Sequence, residues 1–370
     1  MVDGGVGFSA SPRQLYEANL HLRTASRVLI RLSQFRALSF AELERRAKRI
    51  PWETVLDKGR PVALRVTCRK SRLYHSDAVA ERIERDLLAR CGTKVTASTR
   101  DEDDEGPAAS DAQLIVVRFD RDHCTVSADS SGAHLHQRGY RTHVTTAPLR
   151  ETLAAALILA SEWDRRSPLL DPFCGSGTIP IEAALIAAKV APGKNRRFQF
   201  MRWPGFNPTE WERIHAIAVD KEHRVALPPI RGSDHAASAI LAATGNADRA
   251  GVAGLVEFTR ADALDATADD GAGWIVSNPP YGVRLGAAVD SRRLLNDFGQ
   301  RLRERFAGWR LALLVPAELR RVPGLALTPN LRTSNGGLRV HMLAGSVPST
   351  GTEDSADMKR RVDPQGSVTQ

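Results

Sequence analysis

The chain reads as a doubly wound α/β domain preceded by a smaller α+β region, and three observations predict it. At 169–190, LLDPFCGSGTIPIEAALIAAKV runs from a short apolar strand through a glycine turn into a helix, the unit from which open parallel sheets are wound. At 274–282 a second apolar strand, WIVS, ends in NPPYG. Ahead of both, 61–132 alternates strand-like segments with one amphipathic helix, which predicts a separate unit with its own sheet.

Length and composition bound the possibilities. With 370 residues, 42% of them hydrophobic, the chain can hold two or three domains with real cores. No apolar run is long enough to span a bilayer, and MVDGGVGFSA lacks the charged start and apolar centre of a signal peptide, which predicts a soluble protein that stays in the cytoplasm. Cys68, Cys91, Cys124 and Cys174 are scattered without CxxC spacing, and the histidines form neither HxxxH nor HExxH. Zinc sites, a disulfide framework and metal catalysis are therefore disfavoured. The net charge of +9 and the isoelectric point near 9.8 suit a polyanionic partner such as nucleic acid.

In chain order, LYEANLHLRTASRVLIRL and FAELERRAKRIPWETVL give helix-like pieces around a short strand. PVALRVTCR (61–69) alternates as a strand, and SRLYHSDAVAERIERDLLARCG (71–92) is an amphipathic helix closed by Gly92. DAQLIVVRFDRDHCTVSADSSG (111–132) is a hairpin-like pair of strands. The acidic run at 101–105 would repel phosphate and belongs in a solvated loop. Pro148 then precedes a helix over 149–161, so apolar all round that it must be buried.

The glycine turn at 171–178 implies a ligand. Its glycines let a backbone come close to whatever binds, and Pro180 sits in the first helical turn, where a missing N–H costs nothing. Ile181, Ala184, Leu185 and Ala188 follow at helical spacing and give one apolar face to lie on a sheet. A dinucleotide site would want a third glycine where Pro180 stands, and a phosphate loop would need a lysine after Gly177. An acid at the strand end, Asp171, suits a ligand with an ammonium group, and S-adenosylmethionine is such a ligand. A tight turn without a ligand is the alternative.

Beyond it, APGKNRRFQFMRWPGFNPTEWERIHAIAVD (191–220) is an insertion in which Arg196, Arg197, Phe198, Phe200, Arg202 and Trp203 mix cations with aromatics, as single-stranded nucleic-acid sites do. Equally, those aromatics could pack the insertion onto the sheet. The second strand is placed at 228–233, with Asp234 at its end and a helix over 236–244 stopped by Gly245. Asp234 stands where an acid would hold the two ribose hydroxyls of the cofactor, or could cap the helix. A third strand at 255–259 leads to RADALD. After NPPYG come the helix SRRLLNDFGQRLRERF, the strand WRLALLVP, the hairpin strand NGGLRVHML and a polar tail at 346–370 expected to be disordered.

NPPYG carries the chemistry. Two prolines after a strand stiffen the backbone and remove two N–H donors, leaving carbonyls as fixed acceptors. Asn278 Oδ1 and the Pro279 carbonyl can each accept one hydrogen of an exocyclic amine. Holding both hydrogens out of the ring plane favours a tetrahedral nitrogen whose lone pair can attack a sulfonium methyl, so positioning and electrostatics supply the rate enhancement. Tyr281 is placed to stack on a base turned out of any duplex.

DPFCGSGT and NPPYG, together with the basic segment Arg69, Lys70, Arg72, Tyr74 and His75, resemble the THUMP-domain RNA methyltransferases that make N2-methylguanosine, over roughly 16–343. The resemblance implies a partial ferredoxin-like segment at 1–56, a THUMP RNA-binding domain at 57–141, a class I methyltransferase domain of Rossmann-like fold at 142–345 and a tail at 346–370. Relatives carry some tens of residues before the position of Val6, so either the start codon is misassigned or the domain is reduced. The implied cofactor set is Asp171, Pro172, Cys174, Gly175, Gly177, Thr178, Asp234, Asp262, Ala263 and Asn278, with Asp262 meeting the adenine amino group. The implied catalytic set is Asn278, Pro279, Pro280 and Tyr281. RNA would meet Arg69, Lys70, Arg72 and Tyr74, with Arg138, Arg141, Arg196 and Arg197; Arg138 and Arg141 could instead tie the domains together. The substrate implied is 23S ribosomal RNA ahead of tRNA, because APGKNRRF and the insertion look closer to the ribosomal group. Val283 departs from the acidic residue many relatives carry there, which leaves base recognition open. A DNA amino-methyltransferase acting on adenine N6 or cytosine N4, and a non-catalytic RNA-binding assembly protein, are the rival readings.

Overall fold

The computed structural model describes residues 4–99, 111–141, 149–223, 227–268, 271–281 and 288–348. The acidic run at 101–105, Pro148, Val283 and the tail beyond 348 lie outside them. The chain forms two compact units, Met1–Tyr140 with Lys189–His223, and Arg141–Ala188 with Arg224–Gln370.

The first unit opens with α1 (Pro12–His21), whose start is fixed by a capping box: Ser11 Oγ accepts the Gln14 N–H while the Gln14 side chain accepts the Ser11 N–H. It continues through β1 (Leu29–Arg36), α2 (Phe40–Ala47), β2 (Val62–Arg69), α3 (Ser76–Cys91), β3 (Val95–Thr99), β4 (Gln113–Asp120) and β5 (His123–Asp129). The sheet order is β1-β5-β4-β2-β3. Gly92 ends α3 at φ 62°, the left-handed stop read from the sequence. The β4–β5 hairpin turns on Arg121 and Asp122, both at positive φ, as a two-residue turn matched to strand twist requires. β1 pairs with β5, so one sheet draws strands from both sides of residue 56.

From there the chain runs through α4 (Glu151–Ala160), β6 (Leu169–Asp171) and α5 (Thr178–Ala187) of the second unit, and returns to the first through 189–223, which contains α6 (Pro208–Asp220). Here the expectation of a nucleic-acid surface in the insertion is corrected. Phe198, Phe200 and Trp203 are buried in the core of the first unit. Tyr16 of α1 stacks on Phe200 at 4.6 Å and its hydroxyl accepts the Asn207 N–H at 3.0 Å. Trp203 Nε1 donates to Gln113 Oε1 at 2.7 Å. Large rings of this kind gain roughly 1.5–3 kcal/mol each by leaving water, which decides the matter in favour of packing. The surface they pack on is the first unit's, not the parallel sheet.

The second unit adds β7 (Ile230–Asp234), α7 (Ala237–Ala250), β8 (Glu257–Arg260), β9 (Trp274–Ser277), α8 (Ala288–Arg305), β10 (Arg310–Pro316), β11 (Leu327–Asn335) and β12 (Leu338–Ser346). The sheet order is β11-β12-β10-β9-β6-β7-β8. β10, β9, β6, β7 and β8 are parallel neighbours, while β12 is antiparallel to both β10 and β11. The order reverses at β6, with β7 on one side and β9 on the other, and such a switch point opens a crevice at the carboxyl ends of the strands.

Two helices differ from expectation. α5 is buried over all ten residues rather than along one face, because it lies on β6 and β7 while α4 and α7 also pack against it. α7 does not stop at Gly245; it runs on to Ala250 and ends at Gly251, φ 69°. Gly245 alone is a weak stop, since one interior glycine costs about 1 kcal/mol and the buried Asn246 and Ala247 beyond it keep the helix docked. Among the described residues no helix is long and apolar enough to cross a membrane.

Candidate cofactor and amine site

Asp171 closes β6 with its side chain out of solvent. Its Oδ1 accepts the Ser277 hydroxyl at 2.5 Å and the Phe173 N–H at 3.1 Å. Burial pushes its carboxyl up to about 7; the two hydrogen bonds oppose that shift, and the charge of Asp234 adds to it. Ser277 comes from the end of β9, so this bond ties the two central strands together at the crevice.

The glycine turn is held from three sides. The Cys174 N–H donates to the Ser233 carbonyl at 2.9 Å, the Gly175 N–H to Asp234 Oδ2 at 3.1 Å, and Asn246 Nδ2 to the Ser176 carbonyl at 2.9 Å. Its two glycines answer different demands. A Cβ on Gly177, φ 81°, would stand 2.8 Å from the Phe258 ring and 2.9 Å from Ala243 Cβ, whereas a Cβ on Gly175, φ 52°, would meet nothing within 4 Å. Gly177 lets the helix close onto its neighbours, and Gly175 leaves bare backbone facing open space over which a ligand can lie. Pro172, Cys174 and Thr178 are buried around it. Burial and the neighbouring carboxylates Asp171 and Asp234 raise the Cys174 thiol well above its ordinary value, which suits a lining residue and not a nucleophile.

Asp234 ends β7, opposite Arg260 of β8. Its Oδ1 accepts the Ala236 N–H at 2.9 Å, but α7 begins at Ala237 with no side-chain cap. The carboxylate therefore braces its own loop and the glycine turn and does not cap the helix. Asp262, exposed, accepts the Leu264 N–H at 2.9 Å and starts a short 3-10 turn at the buried Ala263.

After β9, Asn278 Oδ1 is buried and has no hydrogen-bond partner among the described residues. Pro279 is buried and Pro280 exposed. The Tyr281 hydroxyl accepts from Asn335 Nδ2 at 2.9 Å, and burial raises its pKa. Asp171, Gly175, Asp234 and Asn278 thus gather at one edge of the sheet, on adjacent strand ends.

The eight arginine, lysine and tyrosine positions expected at RNA divide. Arg69, Lys70, Arg72 and Tyr74 are exposed on the first unit, Tyr74 by 66% and with its ring 4.0 Å from that of His75; Arg197 is exposed too. Arg138, Arg141 and Arg196 are corrected. Arg138 donates to the carbonyls of Leu135 and Arg23. Arg141 donates to Leu149 O and pairs with Glu151, and Arg196 serves the carbonyls of Ala133, His134 and Gln137. A guanidinium engaged by carbonyls within the fold would have to give up those bonds to turn towards a phosphate.

Ser277, Asn246, Phe258 and Asn335 position the site and were not singled out in the sequence. Ser277 had a signal, a hydroxyl inside an otherwise apolar strand. The other three act across the fold from residues that look ordinary in line.

A parallel sheet with this strand order, a glycine turn braced by two acids, and an Asn-Pro-Pro-Tyr segment at the switch point define a class I methyltransferase architecture. The comparisons agree. The model of the RMKL-like methyltransferase domain matches residues 138–323, and the chain belongs to that family. Residues 1–29 match the RlmL ferredoxin-like domain. The chain is 36% identical over 364 residues to the ribosomal RNA large subunit methyltransferase K/L of Allochromatium vinosum, covering 93% of this chain and 48% of that protein. It spans about half the length of the curated relatives it matches. Among solved structures it is similar to a predicted N6-adenine-specific DNA methylase from Listeria monocytogenes, 32% identical with a TM-score of 0.76 over 89% of this chain and 85% of that one. It is also similar to SMU.472, a methyltransferase complexed with SAH, 27% identical with a TM-score of 0.76 over 92% and 89% of the two chains.

Proposed function

We propose that the chain methylates the exocyclic N2 amine of a guanine in RNA, with large-subunit ribosomal RNA as the substrate and S-adenosylmethionine as the methyl donor, and that it works in the cytoplasm. The observation that carries this reading is the buried, unpartnered Asn278 Oδ1. A buried acceptor without a donor costs about 1–3 kcal/mol, a cost that an amine N–H delivered by a substrate removes.

The residues fit the cofactor. Bare backbone at Gly175 offers a cradle, Asp171 supplies a carboxylate for its ammonium group, and Asp234 and Asp262 supply acceptors for its ribose and adenine. Bound there, S-adenosylmethionine offers an electrophilic methyl on a positively charged sulfur. Asn278 Oδ1 accepts one hydrogen of the substrate amine and the Pro279 carbonyl accepts the other. The nitrogen is thereby drawn towards a tetrahedral shape with its lone pair free for the methyl carbon, and its surplus proton passes to water afterwards. The phenol of Tyr281, held by Asn335, presents a ring for the base to stack on. RNA is gathered by the first unit through a THUMP-like surface at Arg69, Lys70, Arg72 and Tyr74, and we assign the segments 1–56, 57–141 and 142–345 to ferredoxin-like, THUMP and methyltransferase roles, with 189–223 excepted because it packs into the first unit.

Transfer of labelled methyl from S-adenosylmethionine to ribosomal RNA, tRNA and DNA tests the reading, followed by mass-spectrometric mapping of RNA from a deletion strain. Label in N2-methylguanosine of 23S RNA is expected. Label confined to DNA adenine or cytosine would replace this reading with that of an amino-methyltransferase of DNA, and label in tRNA alone would move the substrate.

A further inference from the structure

We propose that the β11–β12 hairpin and the loop after β10 form a second RNA contact, on the catalytic unit itself, that holds phosphates beside the nucleotide whose base meets Tyr281. The inference rests on the RNA-methyltransferase reading above. β12 runs antiparallel to β10, with Pro316 opposite Val340, so the hairpin tip at Gly336 and Gly337 lies at the same edge of the sheet as the ends of β9 and β6. Asn335, the last residue of β11, holds the Tyr281 hydroxyl at 2.9 Å, which ties the tip to the amine site. Ser334 pairs with Arg339 and Arg332 with His341, so Arg332 and Arg339 share one face of the hairpin.

The loop after β10 lies on that face. His341 Nε2 meets the Leu319 carbonyl at 2.8 Å, the Ala317 N–H donates to the Arg339 carbonyl at 3.0 Å, and Arg303 Nη1 anchors the Pro323 carbonyl at 2.7 Å. This loop brings Arg320 and Arg321. All four arginines are exposed, and among the described residues none has an ion pair or a side-chain hydrogen bond. The acid in the same loop is Glu318, so positive charge prevails. Other arginines of the chain, such as Arg138 and Arg196, are instead spent on backbone carbonyls. Four cations without partners among the described residues, on the hairpin whose tip holds Tyr281 and on the loop against it, suit a polyanion threaded past them, with one base turned inwards and its flanking phosphates on the rim.

The test compares the full-length chain with Arg320→Ala/Arg321→Ala/Arg332→Ala/Arg339→Ala for binding to a mixed-sequence single-stranded RNA oligonucleotide across a salt series. Each phosphate contact on a single strand contributes about 0.7 to the slope of log affinity against log salt. The variant should lose about two to three from that slope and keep its S-adenosylmethionine affinity by calorimetry; the Arg→Lys set should restore the slope. If the quadruple variant does not fold, Arg320→Glu/Arg321→Glu in the exposed loop serves, and should lower RNA affinity at least tenfold at low salt. An unchanged slope in a variant that binds cofactor normally overturns the proposal and leaves these cations to a protein partner or to solvent. Absence of methyl transfer to any RNA by the unmodified chain would instead sink the functional reading, an outcome read independently of the slope.

Discussion

Asp171 shows how one carboxyl can set the working pH of a site. Its pKa is pushed by burial from 3.8 to about 7. Between those values the folded, ligand-free chain holds a proton that the unfolded chain has released, so this group's contribution to stability improves as pH falls from about 7 towards 4. Binding of an ammonium ligand runs the other way, because it needs the ionised carboxylate. Affinity for S-adenosylmethionine should therefore climb as pH rises to about 7, by up to about tenfold per unit. It should decline again above about 8, where an α-amino group loses its charge. Calorimetry across this range checks it; Asp171→Asn should flatten the acid limb, and a flat acid limb in the unmodified chain would remove Asp171 from the cofactor site. Asn278 offers the complementary case. Its Oδ1 is unpartnered among the described residues and matters most as the amine becomes tetrahedral, so Asn278→Ala should leave cofactor affinity nearly intact while slowing single-turnover methylation by roughly 10²–10³. Near-normal rates would mean that the amine sits elsewhere.

At the scale of elements, α7 and the glycine turn separate two kinds of glycine that look alike in sequence. Gly245 lies inside α7, with the Arg249 guanidinium 3.4 Å from where a Cβ would stand, an ordinary contact with a side-chain end that can move. Gly245→Ala should stabilise the second unit by up to about 1 kcal/mol through helix propensity, read as a higher urea midpoint at unchanged slope. Gly177→Ala should do the reverse, since its φ is positive and Phe258 and Ala243 leave no room. The same contrast explains what was legible beforehand. Strands with a strict apolar run, such as β10, could be placed within a residue or two, and so could the end of α3 at Gly92, although α3 starts at Ser76, five residues later than read. So could DPFCGSGT and NPPYG, because their chemistry is local. What could not be read depended on partners distant in the chain: the fully buried α5 needed α4 and α7, Gly245 needed the docked half-turn beyond it, and Arg196 and Phe200 needed the first unit's core to reveal that they pack. Asn335 and Ser277 hold Tyr281 and Asp171 from other strands, and only the folded register brings them there.

For the whole molecule, the chain order and the units do not coincide, and this changes what a dissection can show. Residues 189–223 are inserted between α5 and β7 of the second unit but belong to the first. There Phe198, Phe200 and Trp203 are buried, and the Gly193 N–H donates to the Leu20 carbonyl at 2.9 Å. A fragment beginning at 142 would carry this segment without α1 and β4, leaving three large rings without the core they fill, each worth roughly 1.5–3 kcal/mol of burial. Such a fragment should aggregate or melt early, so weak RNA binding by it would say nothing about where RNA is held. The contribution of the first unit is better read in the full-length chain with Arg69→Ala/Lys70→Ala/Arg72→Ala, three exposed cations beside the exposed Tyr74. Structured RNA should bind this variant with a salt slope shallower by about two to three, at roughly 0.9 per phosphate on a duplex. Cofactor affinity and thermal midpoint should stay as they were, because none of the three is buried. The slope lost here and the slope lost on removing the hairpin arginines should add in the combined variant if the two surfaces hold different phosphates. Equal slopes for the first-unit variant and the unmodified chain would take the THUMP-like surface out of RNA binding and leave the hairpin rim as the principal contact.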